Sequence, residues 1–213
     1  MPVPQAQRFT VIMAAAEIAD AQGLSQLTFA RVAHRLEVRA TTINRHFASL
    51  DDLRRDLAFL GLRLLANRLG AAIMGKARGD AIMAAANAYR GFAVEHPGLI
   101  LATFLPVPPG DDALQQCREH ITQILIAIMN GVDLVGDDAL HAARAFRSMA
   151  HGFASIEISG GFGRAMSTDE SFQRLIQTYI NGLERRGSTR LFGEWSKTPS
   201  SDPPAWLTAR RRR

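Results

Sequence analysis

Apolar residues along the chain recur every three or four positions, the spacing that places them on one face of an α-helix. Alternation of apolar and polar residues, which marks half-buried strands, is nearly absent. The first apolar stripe covers about residues 3–22 and ends at Gly23, a residue that commonly follows a helix. Its apolar positions are Phe9, Ile12, Met13, Ala16 and Ala19. The pattern predicts an all-α fold that begins with a long amphipathic helix.

Two much shorter helices are predicted next. Thr28 is a favourable N-cap for the first of them. The apolar stripe of that helix consists of Phe29, Val32, Ala33 and Leu36. The second covers residues 40–47, with Ile43 and Phe47 facing inward and Val38 expected to pin the turn. Helices this short are marginal alone, so we expect them to pack as a helix-turn-helix, whose second helix can enter the DNA major groove.

Capping signals and glycine breaks divide the rest of the chain. Ser49 begins a capping box, Ser-Leu-Asp-Asp, and predicts a fourth helix that reaches about Met74. Ser167 begins a second such box before the last helix. Further helices are predicted over about 80–96, 98–105, 111–130, 137–159 and 167–186. We therefore expect a DNA-binding domain at 1–50, a helical ligand-binding and dimerisation body at 51–186, and a tail at 187–213.

The net charge of +5 is unevenly distributed along the chain. Residues 1–70 contain nine Lys/Arg against six Asp/Glu, and residues 71–184 contain eight against twelve. Residues 185–213 contain eight against two. The asymmetry indicates that only part of the molecule faces a polyanion. The basic tail is expected to be flexible, and a further hypothesis is that it adds sequence-independent affinity for DNA.

Several function classes are disfavoured by what the sequence lacks. No apolar run reaches the roughly 20 residues of a membrane helix, and the start shows no signal-peptide pattern. A single cysteine, Cys117, fits a reducing compartment, so a cytoplasmic protein is predicted. Nucleophile-elbow, Walker and dinucleotide-binding motifs are absent, so no catalytic residue or cofactor is predicted. Cys117 and His120 share a helical face, but structural zinc needs four ligands, so no metal site is predicted.

The second short helix leaves a polar surface once its apolar residues are assigned to the core. Its arginines, short hydroxyls, amide and imidazole suit phosphate oxygens and base edges. The residues on this surface are Arg39, Ala40, Thr41, Asn44, Arg45 and His46. Over residues 28–47, four arginines are opposed only by Glu37, so this surface is expected to be positive.

A resemblance to the TetR/AcrR family of bacterial regulators is found in residues 27–47, which read Leu-Thr-Phe-Ala-Arg-Val-Ala-His-Arg-Leu-Glu-Val-Arg-Ala-Thr-Thr-Ile-Asn-Arg-His-Phe. Ser-Leu-Asp-Asp-Leu follows at 49–53, and the resemblance extends over about residues 5–65. It implies that Thr28 and Arg31 anchor phosphates. It also implies a groove-facing set of Ala40, Thr41, Thr42, Asn44, Arg45 and His46.

The chain departs from the family pattern at several positions of this domain. Glu37 stands where the family usually has glycine in the turn, and Arg39 where it often has a serine cap. Asn44 replaces a common tyrosine and Leu50 a phosphate-binding lysine. Loss of two phosphate contacts is expected to weaken sequence-independent affinity, while Asn44 suits an adenine edge.

A narrower resemblance covers about residues 80–186. It rests on the stretches 89–98 and 151–163 and points to the TetR subgroup marked by a Trp-His-Gly motif, of which this chain lacks the tryptophan. It implies that the body binds a small molecule. The pocket candidates are Tyr89, Phe92, Phe104, Leu125, Met129, Phe146 and His151. In helical bundles such residues are more often plain core than pocket lining, and a histidine such as His151 or His120 is more often buried and bonded to a carbonyl than in contact with a ligand.

The last two predicted helices carry apolar stripes suited to a dimer interface. The candidates are Phe153, Ile156, Phe172, Leu175, Ile176, Tyr179 and Leu183. Gly152, Ala154 and Ser155 would allow a partner helix to approach closely. Alternatively, both stripes face the core of their own protomer.

These features predict a ligand-responsive transcriptional regulator, a repressor, that binds a near-palindromic operator as a homodimer. A small apolar or amphipathic effector is expected to release it from double-stranded DNA. The alternative is a helical small-molecule-binding protein without specific DNA binding, which the departures at Asn44 and Leu50 leave open.

Overall fold

In the computed structural model, residues 5–186 are described, and within that range they form nine α-helices, one short 3-10 turn and no strand. The N-terminal part consists of α1 (Gln5–Gln22), the 3-10 turn (Leu24–Gln26), α2 (Phe29–Arg35) and α3 (Ala40–Asn44). The body consists of α4 (Leu50–Ile73), α5 (Arg78–Glu95), α6 (Pro97–Ala102), α7 (Asp112–Asn130), α8 (Gly136–Ile158) and α9 (Thr168–Arg186). The all-α prediction is confirmed. The predicted start of the first helix at residue 3 and the tail at 187–213 lie outside the described residues.

Three helices begin where their capping residues predict. The hydroxyl of Thr28 accepts a hydrogen bond from the Arg31 amide at 3.2 Å, and that of Ser49 accepts from the Asp52 amide at 3.1 Å. Ser167 has the same role at the start of α9. Each hydroxyl satisfies a backbone donor that would otherwise lack a partner in the first helical turn. The starts of α2, α4 and α9 are therefore determined locally.

Two helices are shorter than the sequence predicts. The third, α3, ends at Asn44 and not near Phe47, because the chain must turn before Ser49 adopts the extended backbone that caps α4. The sixth, α6, ends at Ala102 and not at residue 105. Beyond its end, two backbone carbonyls are held by the guanidinium of Arg118 from α7.

The core-facing side of α1 differs from the predicted stripe. Phe9 and Met13 are 57% and 38% exposed, whereas Val11, Ala15 and Ile18 are buried. Apolar residues occupy more than one face of this alanine-rich helix, so the periodicity does not select a single face. Alanines on the buried face allow neighbouring helices to approach α1 closely.

The short helix α6 joins the N-terminal part to the body. The amides of Gly98 and Leu99, in its first turn, donate to one carboxylate oxygen of Asp20 on α1 at 2.8 and 3.0 Å. The other oxygen lies 2.9 Å from His96 Nδ1. A Cβ at Gly98 would lie 2.2 Å from the carbonyl carbon of Ala19, so only glycine permits this packing. The two parts are thus packed directly on each other as well as joined through α4.

Helices α4, α5, α7 and α8 form the core of the body, and α9 packs on α5. The guanidinium of Arg90 on α5 connects the last two helices. Its Nε lies 2.7 Å from Glu157 on α8, and another nitrogen lies 2.8 Å from Asp169 on α9. Among residues 5–186, none of the helices combines the length and apolar character needed to cross a membrane.

Candidate DNA-binding surface and effector site

The turn between α2 and α3 is closed by backbone hydrogen bonds. The amide of Val38 donates to the Ala33 carbonyl at 3.0 Å, and that of Glu37 donates to the His34 carbonyl at 3.2 Å. These two hydrogen bonds require a residue whose backbone is in the left-handed helical conformation, and Glu37 adopts that conformation with φ 54°. Val38 is 40% exposed, so it stabilises the turn through its backbone amide and not through burial of its side chain.

The helix α3 presents most of the predicted recognition residues to solvent. Ile43 and Phe47 are at most 1% exposed and face the core, as predicted. The exposed members of the recognition set are Arg39, Ala40, Thr41, Asn44 and Arg45, and the half-buried ones are Thr42 and His46. Arg39 and Arg45 take part in no ion pair with any residue between 5 and 186. Their charges are therefore available to a polyanion.

The predicted phosphate contacts on α2 already have partners within the chain. The hydroxyl of Thr28 caps the helix, and the guanidinium of Arg31 donates to the side-chain oxygen of Gln22. Thr28, Arg31 and Gln22 are all exposed. Exposed interactions of this kind contribute little stability, so Arg31 can exchange Gln22 for a phosphate at small cost.

Arg8 on α1 packs behind the end of α3, a contact that the sequence pattern does not predict. Its Nε lies 2.9 Å from the Asp56 carboxylate, and another nitrogen donates to the carbonyl of His46. Its guanidinium carbon lies 4.2 Å from the ring centre of Phe47. The two hydrogen bonds join residues 48 and 38 positions apart, so no local spacing indicates them.

The predicted pocket residues separate into two groups. The members that are at most 2% exposed are Tyr89, Phe92, Leu125, Met129 and Phe146. Phe104 is 44% exposed and His151 is half-buried, and their ring centres lie 4.4 Å apart. The His151 ring is also edge-on to Tyr89, with 6.3 Å between the ring centres. The fold thus brings Tyr89, Phe104 and His151 together at the edge of the core.

Two arginines that the sequence analysis did not select complete this site. Arg147 lies one turn before His151 on α8, with its guanidinium carbon 4.7 Å from the ring centre of Phe104. Arg118 approaches from α7 and donates to the carbonyls that follow α6. The spacing of four between Arg147 and His151 is a signal that could have placed both on one helical face. No spacing connects Arg118 with either of them.

The site is positively charged at neutral pH. Burial lowers the pKa of His151, and the charge of Arg147 lowers it further. The same two causes lower the pKa of Arg118. Burial raises the pKa of Tyr89, although the positive charge of Arg147 opposes this. The site therefore contains two guanidinium charges beside a neutral imidazole and a neutral phenol.

The predicted dimer residues lie on α8 and α9 but do not all reach the surface. Those at most 7% exposed, packed in the core of their own protomer, are Phe172, Ile176 and Leu183. Their assignment to a dimer interface is corrected, because a side chain already enclosed within its protomer has no surface for a partner. The half-buried members are Phe153, Leu175 and Tyr179. Ile156 is 46% exposed.

His120, the other histidine considered from the sequence, lies apart from the residues around His151. It is exposed on α7 and, with Cys117, borders an open groove of about 400 Å³ against α4. The apolar wall of this groove includes Phe59 and Leu62. The two histidines therefore belong to different surfaces of the body.

Comparison with known proteins identifies relatives of this chain by their sequence. A family model described as the tetracyclin repressor-like C-terminal domain matches residues 82–179. An uncharacterised HTH-type transcriptional regulator of Mycobacterium tuberculosis is 31% identical over 183 residues, which are 84% of this chain and 82% of that protein. The HTH-type transcriptional regulator YobS of Bacillus subtilis is 30% identical over 175 residues, 81% of this chain and 90% of that protein.

Solved structures share the fold. A TetR variant from Acinetobacter baumannii in complex with minocycline has a TM-score of 0.64 and 20% identity, covering 88% of this chain and 99% of that chain. At this identity the likeness concerns the fold alone. The family membership is instead shown by sequence similarity, through the match of the C-terminal family model and the two regulators that are at least 30% identical to this chain. The chain therefore belongs to the TetR/AcrR family and is a DNA-binding transcriptional regulator.

Proposed function

We propose that the chain is a homodimeric repressor that binds a near-palindromic operator and leaves it when a small effector binds the body. The observation that supports the DNA contact is that Arg39 and Arg45, which lie beside the small residues of α3, are exposed and form no ion pair within residues 5–186. In a two-fold dimer, two copies of α3 about 34–36 Å apart would enter successive major grooves. The symmetry of the operator would then match that of the protein.

The dimer is proposed to form through the exposed sides of α8 and α9. Among residues 5–186, a Cβ at Gly152 or at Gly182 would have no neighbour within 4 Å beyond its own stretch of helix, so both positions open outward. On α8 the same side continues with Ser148, Ser155 and Ile156, all of which are exposed. Small side chains beside an exposed isoleucine suit close packing against a second copy of the chain.

Release from DNA is proposed to act through α6. Phe104 and the carbonyls held by Arg118 follow directly after this helix, so the candidate effector site adjoins its end. Its start is held by Asp20 of α1. Movement of α6 would shift α1 and α4 and change the separation of the two copies of α3. Loss of simultaneous contact with both half-sites removes the avidity of the dimer.

A gel-shift assay of the purified chain on its own upstream DNA, over a salt series with unrelated DNA as competitor, tests this function. Arg45→Ala is expected to lower specific affinity by about tenfold or more, because it removes an exposed cation from α3. Arg164→Ala is the matched control, since it removes the same charge from the exposed loop between α8 and α9.

Specific binding that falls only in Arg45→Ala supports the assignment of α3 as the recognition helix. Weak binding that is equal on all sequences, or an equal loss in the two variants, contradicts it. That result would favour the helical small-molecule-binding protein without specific DNA binding.

A further inference from the structure

Four buried side-chain atoms among the described residues have no hydrogen-bond partner, namely Tyr89 Oη, Arg118 Nε, Arg147 Nε and His151 Nδ1. All four belong to the site at the end of α6, which they reach from α5, α7 and α8. We call these residues the polar cluster. Unpartnered buried polar groups are rare in folded proteins because each one costs free energy. Their concentration at one place indicates a site built for a group that comes from outside the protomer.

The charge of the polar cluster indicates the sign of that group. Neither Arg118 nor Arg147 has a carboxylate within ion-pair distance in residues 5–186, whereas Arg90, also in the body, lies 2.7 Å from Glu157. Guanidinium and phenol groups are donors, and the imidazole Nδ1 becomes one when the ring is protonated or in the appropriate tautomer. A cluster of unpaired donors with two positive charges is complementary to an anion.

The neighbouring side chain indicates what the anion is attached to. The Phe104 ring lies beside both Arg147 and His151 and is 44% exposed, so an apolar surface adjoins the donors and reaches solvent. A planar carboxylate matches the guanidinium fork. We infer that the effector is an amphipathic carboxylate, with its anion bound by Arg147, Tyr89 and His151 and its apolar part against Phe104. The existence of the anion site does not depend on the proposed function, but the expected release from DNA when the anion binds does.

Arg147→Met tests the inference in the free protein without any ligand. Methionine keeps much of the length of the side chain and removes an unpaired, partly buried charge, so we expect the Tm to rise by about 2–4 °C. Arg90→Met is the matched control, and it should lower the Tm because Arg90 is paired with Glu157 and Asp169. A fall in Tm for Arg147→Met as large as that for Arg90→Met would show a structural arginine and overturn the inference.

Calorimetric titration of the full chain tests the ligand class. The probes are octanoate and benzoate, with octanamide and benzamide as neutral counterparts of the same shape. We expect the carboxylates to bind at least about tenfold more tightly than the amides. Arg147→Met and Tyr89→Phe should weaken carboxylate binding by a similar factor, while Arg164→Ala should not. Equal affinity for the amides, or no binding of either carboxylate up to its solubility limit, would overturn the inference.

Binding and DNA release are measured separately, so the two proposals fail in different ways. Carboxylate binding without release of operator DNA would leave the anion site in place and contradict the effector role. If a neutral compound releases the DNA and binds equally well to Arg147→Met, the proposal of a ligand-controlled regulator stands. The inference that the effector is an anion is then overturned.

Discussion

Glu37 occupies the left-handed backbone region, with φ 54°, in the turn that leads into α3. A side chain with a Cβ is less stable there than glycine by about 1–2 kcal/mol, partly offset by the greater freedom of glycine in the unfolded chain. Glu37→Gly should therefore be more stable than Glu37→Ala by about 0.5–1 kcal/mol. Both variants lose the same charge, so urea denaturation compares only the backbone effect. Equal free energies of unfolding would mean that Glu37 carries no strain.

His151 should make the stability of the free protein depend on pH. Burial and Arg147 lower its pKa, and the rings that face it from outside α8, Tyr89 and Phe104, carry no negative charge. The unfolded chain then binds a proton more readily, so stability is lost as the pH falls below about 6.5. Between about pH 7.5 and pH 5.5 the Tm of the wild type should fall more than that of His151→Asn. Parallel pH profiles would contradict this.

At the scale of elements, α6 is held at both ends by other helices. Asp20 of α1 caps its start, and Arg118 of α7 binds the carbonyls that follow its end. Neither contact is local, since the partners of Asp20 lie 78 and 79 residues away along the chain. The helix whose end adjoins the polar cluster is therefore also the helix packed on α1.

Asp20→Ala should lower stability by about 1 kcal/mol, the usual cost of losing a helix cap. We expect it to retain octanoate binding but to need more octanoate for release of DNA, because α1 no longer follows α6. Asp20→Asn keeps an oxygen for the two amides and serves as the control. Thermal denaturation and gel shift during ligand titration measure both effects. Unchanged release in Asp20→Ala would exclude this contact from the coupling.

At the scale of the whole molecule, the proposed repressor depends on two copies of the chain. Gly152→Arg should prevent dimer formation, because its side chain projects from the exposed side of α8 where the protomer offers no contact within 4 Å. Gly70→Arg is the control, since Gly70 on α4 also has open space around an added Cβ. Both changes replace a helical glycine, so neither should destabilise the protomer.

Sedimentation velocity and operator binding measure the outcome of these two substitutions. Gly152→Arg is expected to sediment as a monomer and to lose affinity for a two-half-site operator, while Gly70→Arg behaves as the wild type. A Gly152→Arg variant that stays dimeric would contradict the proposed interface.

Local patterns of residues are enough to predict the helical fold, the starts of three helices and the inward direction of Ile43 and Phe47. Periodicity and caps act between residues at most four positions apart, so they can be read along the chain. The same local logic placed Arg39 and Arg45 on an exposed surface.

Which apolar faces pack together, and which distant residues come into contact, depends on how the helices are arranged in three dimensions. A stripe such as that of α9 shows that a helix packs, but not whether its partner is α5 of the same protomer or a second copy. Phe172 and Ile176 proved to face their own core. Arg118 of α7 and Arg147 of α8 both reach the end of α6, where Arg118 binds the backbone on either side of Phe104 and Arg147 lies beside its ring. Long-range convergence depends on helix packing, and no spacing along the chain encodes it.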